Sequence, residues 1–208
     1  MSQKELFEAP DAAPWPALPA LHRQLNPADF SGDAFYLAAF ARLSCLPLQN
    51  EISRFIEKAR AAGGIAVCDR GDPDLLAVLK AAGKVQTEVH RITGFLRFSP
   101  DAQGVYTARC EPDYFILPAL AEHFTLRFGE TPWAITDEKR GLCLCRQKGG
   151  EARIVPVSPD SLAEKGNGDC WGELWRLYHR SVSNESRKNP RLQRQFMPKR
   201  YHKHLNEL

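Results

Sequence analysis

The feature that most constrains this chain is a change of hydrophobic period near Thr93. Before it, apolar residues recur every three or four positions; after it, they alternate. A chain patterned this way builds helices first and a sheet afterwards, which is the α+β order. Ser31 caps a first helix carrying Phe35, Ala38, Ala39, Leu43 and Leu46, and Pro47 stops it. Ile52, Phe55, Ile56 and Ala59 predict a second helix over about 48–62, closed by Gly63 and Gly64. Asp72 and Pro73 open a third, with Leu75, Leu79, Ala82, Val89 and Ile92 on one face and Gly83 weakening its middle.

Past Thr93, two runs, Phe95 to Phe98 and Val105 to Arg109, flank a turn-rich stretch and predict a hairpin. A helix follows, ending by Gly129, with Leu117, Ala121, Phe124 and Phe128 as its apolar stripe. Strands are predicted over 133–137, 142–146 and 153–157. The expected architecture is therefore a helical N-terminal part, a central antiparallel sheet with an inserted helix, and a basic helical C-terminal segment. Residues 1–30 hold five prolines, a density that prevents a regular helix and predicts an extended arm. The parts fall at 1–30, 31–92, 93–168 and 169–208, with 31–208 expected to form one compact domain. Gly166, Asn167 and Gly168 read as a linker. Asp169 caps a last long helix bearing Trp171, Leu174, Trp175, Tyr178 and Val182, and Asn189–Pro190 opens a short basic one.

Several function classes lose support. With 43% hydrophobic and 25% charged residues the composition is that of an ordinary globular protein. No apolar run approaches the roughly 18 residues that cross a bilayer, so no membrane partner is expected. The N-terminus lacks the basic-then-apolar order of a secretory signal, so a cytoplasmic location is expected. Six scattered cysteines without a Cys-x-x-Cys spacing give little support to a disulfide scaffold, structural zinc or an iron–sulfur cluster. Cys143 and Cys145 share one face of a predicted strand and read as buried thiols. Phosphate-loop, dinucleotide, Gly-x-Ser-x-Gly and deaminase patterns are absent, so no cofactor is expected.

The charge is unevenly placed. From Leu174 to Leu208 there are nine Lys/Arg and two acids, a net of +7, which leaves the remainder near −4 in a chain of net +3. Such asymmetry points to a polyanionic partner. Arg187, Arg191, Arg194 and Arg200 are the leading phosphate contacts, and Arg97, Arg127 and Arg140 extend the set. Trp175, Tyr178, Phe196 and Tyr201 lie among the cations, and aromatic faces can stack unpaired bases. Together they suit DNA in single-stranded or distorted form. The plainer alternatives are a solvated basic tail and an aromatic stripe that belongs to a core.

A second group, His90, His123 and Asp137 with Arg97 and Arg127, carries the residue types of acid–base chemistry beside an anion site. The plainer reading makes each histidine a surface or anchoring residue. It pairs Glu88 with Arg91 within a helix and gives Asp137 the tight turn before Leu142.

The second half resembles a known family. Its carriers are Glu88, His90, Arg91, Gly94 to Phe98, Gly104, Tyr106, Glu111–Pro112, His123–Phe124, Arg127–Phe128, Trp133, Asp137, Lys139–Arg140, Trp175 and Tyr178. The last block runs from Arg187 through Asn189–Pro190–Arg191 to Gln195 and on to Tyr201. Over about residues 70–208 this order is similar to the uncharacterised bacterial "probable DNA metabolism protein" family. Its members occur alone or fused behind a uracil-DNA-glycosylase-like domain, and many are encoded beside a radical-SAM protein assigned to DNA repair. The resemblance implies a DNA-repair context and such a partner, and no reaction. Three readings follow: a DNA-binding accessory protein acting with a radical-SAM partner, an enzyme acting on DNA or a nucleotide, and a protein adaptor without DNA contact.

Overall fold

The computed structural model describes residues 32–62, 70–101, 103–157 and 170–184, with 186, 189, 191–192, 197 and 199–205. The expected proline-rich arm, the 166–168 linker and most of the short basic helix lie outside these residues. The chain forms two compact units.

The helical unit contains α1 (Gly32–Leu43), α2 (Gln49–Ala61), most of α3 (Pro73–Phe95) and the segment Pro112–Leu120. Ile52, Phe55, Ile56 and Ala59 of α2 are buried, as their spacing requires. Asp72 starts α3 by accepting the N–H of Asp74 at 2.9 Å, and Pro73 follows where its missing N–H costs nothing. The same corner is clamped from α2. Arg54 Nη2 reaches Asp74 Oδ1 at 2.8 Å, and Lys58 Nζ reaches Asp72 at 2.8 Å and Asp74 at 2.9 Å. The bond from Arg54, then that from Lys58, hold the Asp74 carboxyl at a pKa of about 2. α3 runs unbroken through Gly83. Burial of Ala81, Ala82 and Val85 around it outweighs the roughly 1 kcal/mol a helical glycine costs.

The sheet unit contains β1 (Ser99–Pro100), β2 (Tyr106–Cys110), β3 (Trp133–Asp137), β4 (Leu142–Arg146) and β5 (Arg153–Pro156), in that spatial order. The α+β class and the helical N-terminal part hold. The sheet, however, is mixed and not purely antiparallel. β2 and β3 pair in parallel, Tyr106 opposite Trp133 and Cys110 opposite Asp137. The physical reason is the connection. A hairpin turn cannot reverse a chain into parallel register, whereas a helix can return it to the same end. The inserted helix α4 (Leu117–Phe128) is such a crossover. The expected hairpin is also shorter than its apolar run, because Phe95 stays in α3 and only Ser99 and Pro100 pair with β2.

β4 and β5 then add in antiparallel fashion. Gly141, at φ 63°, supplies the left-handed residue that the β3–β4 turn needs. One face of the sheet carries an aromatic cluster: Trp133 with Phe124 and Phe128, and Phe98 and Tyr106 with Phe128. Another buries Cys143 and Cys145 with Ala134 and Val155. Hydrogen bonding to Cys145, then burial, push the Cys143 thiol well up; Cys145, bonded to Cys143 and facing Arg153, is held below its ordinary value. α5 (Cys170–Val182) and a 3-10 turn over Lys199–His204 complete the unit.

Candidate nucleic-acid interface

α5 positions the first cations. At 3.6 residues per turn Arg176 and Arg180 stand one above the other on its polar side. Both are exposed, as is Arg191 beyond the helix, and none makes an ion pair with a described residue. Asn189 Oδ1 accepts the N–H of Leu192 at 3.0 Å, which fixes the backbone beside Arg191. Tyr178 is exposed on α5 together with Leu174, Leu177 and Val182. Of the stripe Trp171, Trp175 and Tyr178, only the Tyr178 side chain is among those described, and it is 55% exposed. Arg187 and Arg194 lie outside the described residues, and the side chains of Trp175 and Arg200 are likewise outside them.

The remaining predicted contacts divide sharply. Arg127 is exposed in the last turn of α4, one turn after the exposed His123. Arg97 folds back on the end of α3, donating to the carbonyl of Gly94 at 3.0 Å. Arg140 is tied to Asp137 at 2.8 Å. Tyr201, expected to stack on bases, is instead core: it is 3% exposed and packs on Phe95 with ring centroids 5.4 Å apart. A ring buried there has no face to offer a ligand, so Tyr201 leaves the set of base-stacking candidates.

The acid–base candidates belong to both units. His90 is exposed on α3 in the helical unit, and His123 belongs to the sheet unit. Asp137 is fully buried. Its Oδ1 accepts the N–H groups of Lys139 and Arg140 at 3.1 and 3.2 Å, and its Oδ2 takes the Arg140 guanidinium. Both oxygens thus serve the turn.

Two arrangements escaped sequence reasoning. Glu88, 2% exposed, is no surface partner of Arg91. Its two carboxylate oxygens accept the N–H groups of Asp113 and Tyr114 at 2.9 and 2.8 Å, anchoring the approach to α4. The only trace in the sequence is that Glu88 falls in line with Val85 and Ile92 on the buried side of α3. Second, Glu111 and Glu138 directly follow the parallel strands β2 and β3, so strand register brings them to one end of the sheet. Lys203 lies between them, bonded to Glu111 and 3.0 Å from Glu138, and Arg109 adds a bond to Glu138 at 3.2 Å. Burial would push the Glu138 carboxyl up. Its hydrogen bond from Lys203, the charge of Lys203 and the bond from Arg109 outweigh that and hold it below its ordinary value. Two carboxylates here balance two cations. Lys203 is therefore committed internally, unlike Arg176, Arg180 and Arg191.

Among the described residues no helix is long and apolar enough to cross a membrane. No curated protein and no solved structure matches the chain. The sequence profile of one family does match, over residues 48–207, from just before α2 through the sheet unit and leaving out α1. The chain belongs to that family, described as a domain of unknown function (DUF4130).

Proposed function

We propose that this protein binds nucleic acid through its basic C-terminal segment and serves as an accessory protein in DNA repair or modification. One observation carries the reading: Arg176, Arg180 and Arg191 are exposed cations without an ion pair to any described residue, in a segment of net +7. Guanidinium groups placed this way neutralise phosphates and release counterions. The exposed ring of Tyr178, on the same helix, offers a face for an unpaired base. Arg127 on α4 extends the set. The context of DNA repair, and a radical-SAM protein as the partner that receives the DNA, come from the sequence resemblance alone. A uracil-DNA-glycosylase-like domain is the partner in fused relatives.

The enzymatic alternative, acid–base chemistry by His90, His123 and Asp137, has less behind it, because the Asp137 carboxylate is saturated by its own turn. The adaptor reading draws on a separate observation, the exposed apolar side of α5.

Fluorescence anisotropy with mixed-sequence single-stranded and duplex oligonucleotides tests the proposal. Binding is expected whose logarithm falls with log salt at a slope of about −2 to −3, as three neutralised phosphates require. Absence of binding to either form at low salt, or binding indifferent to salt, overturns it. Co-purification with the radical-SAM protein that survives nuclease treatment, without any DNA binding, supports the adaptor instead.

A further inference from the structure

α5 divides cleanly into two sides. With about 100° between successive residues, Leu174, Leu177, Tyr178 and Val182 fall within one arc, and Glu173, Arg176 and Arg180 occupy the opposite one. The four apolar side chains are 55–64% exposed. Scattered surface leucines need no explanation, but four large apolar side chains on one arc of a helix, interrupted by Ser181, do. Phosphate binding uses the polar side and base stacking would engage Tyr178 alone, which leaves Leu174, Leu177 and Val182 without a role.

The charges bordering the arc indicate what covers it. Glu173 and Arg180 are seven residues apart, two turns of helix, so they lie near the same edge. Neither makes an ion pair with a described residue. When two copies of one helix pack antiparallel about a two-fold axis, an edge meets the same edge of its mate reversed. With the axis at the level of Arg176 and Leu177, Glu173 of each copy stands level with Arg180 of the other. The pattern is complementary to itself. A parallel pair would set this edge against the opposite, Val182 edge of the mate, where neither charge meets its complement.

We propose that α5 is a homodimerisation helix, docking its Leu174–Leu177–Tyr178–Val182 face antiparallel against α5 of a second copy of this chain. The helix is 13 residues long, about 20 Å at 1.5 Å per residue. Two helices of that length bury less than the roughly 1,200–2,000 Å² of a standard interface, so the dimer dissociates in the micromolar range. Pairing turns both Arg176 side chains outward, away from the apolar seam. The inference goes beyond the nucleic-acid reading and does not rest on it.

Sedimentation velocity on the full chain, without nucleic acid, tests the idea over about 1 to 300 µM protein. A reversible monomer–dimer equilibrium is expected. Leu177→Glu should abolish it, with far-UV circular dichroism verifying that the chain stays folded. Glu173→Arg alone or Arg180→Glu alone sets like charges opposite each other at two symmetric places and should weaken the dimer about tenfold. The double exchange Glu173→Arg with Arg180→Glu restores both pairs and should return the dissociation constant to within about threefold of the original. A monomer throughout the concentration range overturns the proposal. So does a dimer indifferent to Leu177→Glu, or a double exchange no better than the single ones. Capture by anionic vesicles of a chain that stays monomeric assigns the arc to a lipid surface. The sedimentation runs contain no nucleic acid, so anisotropy with oligonucleotides on the unaltered chain reads the nucleic-acid proposal separately.

Discussion

Lys203 Nζ lies 3.0 Å from Glu138 Oε2, joining a residue of the terminal 3-10 turn to the end of β3 across 65 positions of chain. The contact assigns one cation of the basic segment to the interior economy of the sheet unit. It also makes the docking of that turn sensitive to acid. The Glu138 carboxyl is held below its ordinary value of 4.5. Its contribution to stability is therefore fully present above that ordinary value and is lost as pH falls through the lowered one. Lys203→Met should cost about 0.5–1 kcal/mol at neutral pH, the range of exposed pairs. In urea melts the gap between variant and parent should narrow as pH is lowered from about 7 to about 3. A gap of equal size at both pH values would contradict the pairing.

The Asp74 carboxyl makes a second acid-sensitive point, in the helical unit. With its pKa near 2, set first by Arg54 and then by Lys58, its stabilising contribution is complete above about pH 4 and lost as pH falls toward 2. Asp74→Asn should lower the urea midpoint at pH 6 and leave it unchanged at pH 2. The measurement is far-UV circular dichroism at both pH values.

Glu88 and Asp137 are buried carboxylates, the first bonded by two backbone N–H groups and the second by two backbone N–H groups and the Arg140 guanidinium. Glu88→Ala leaves the N–H groups of Asp113 and Tyr114 without their acceptors and should cost about 2–3 kcal/mol. Glu88→Gln keeps one acceptor oxygen and should cost less. Asp137→Ala removes the partner of Arg140 and of two turn N–H groups, at about 3 kcal/mol. Arg91→Ala, by contrast, should stay within about 0.5 kcal/mol. An Arg91 effect as large as that of Glu88 would reinstate the ion pair that spacing alone suggests.

The exposed arginines should act one by one on nucleic-acid affinity. Replacing Arg176, Arg180 or Arg191 with alanine should each reduce the salt slope by about 1 and weaken all sequences alike. Lys203→Met should leave the slope nearly unchanged, because its charge is already matched by Glu111 and Glu138. A Lys203 effect equal to that of Arg176 would place the phosphate path over the carboxyl ends of β2 and β3 instead.

Local sequence determined most of the elements. The spacing of Ile52, Phe55, Ile56 and Ala59 specified α2, and the alternation at 133–137 and 142–146 specified β3 and β4 to the residue, because side-chain period is a property of the backbone itself. Asp72–Pro73 marked the start of α3 for an equally local reason. Tertiary structure decided what depends on register and on which face meets what. That β2 and β3 run parallel, that Glu111 and Glu138 consequently share one end with Lys203, and that Tyr201 is buried while Leu177 is exposed are consequences of contacts between distant residues. A count of charges and rings assigns each its chemistry. Whether that chemistry is available to a partner depends on its neighbours, and those are chosen by packing.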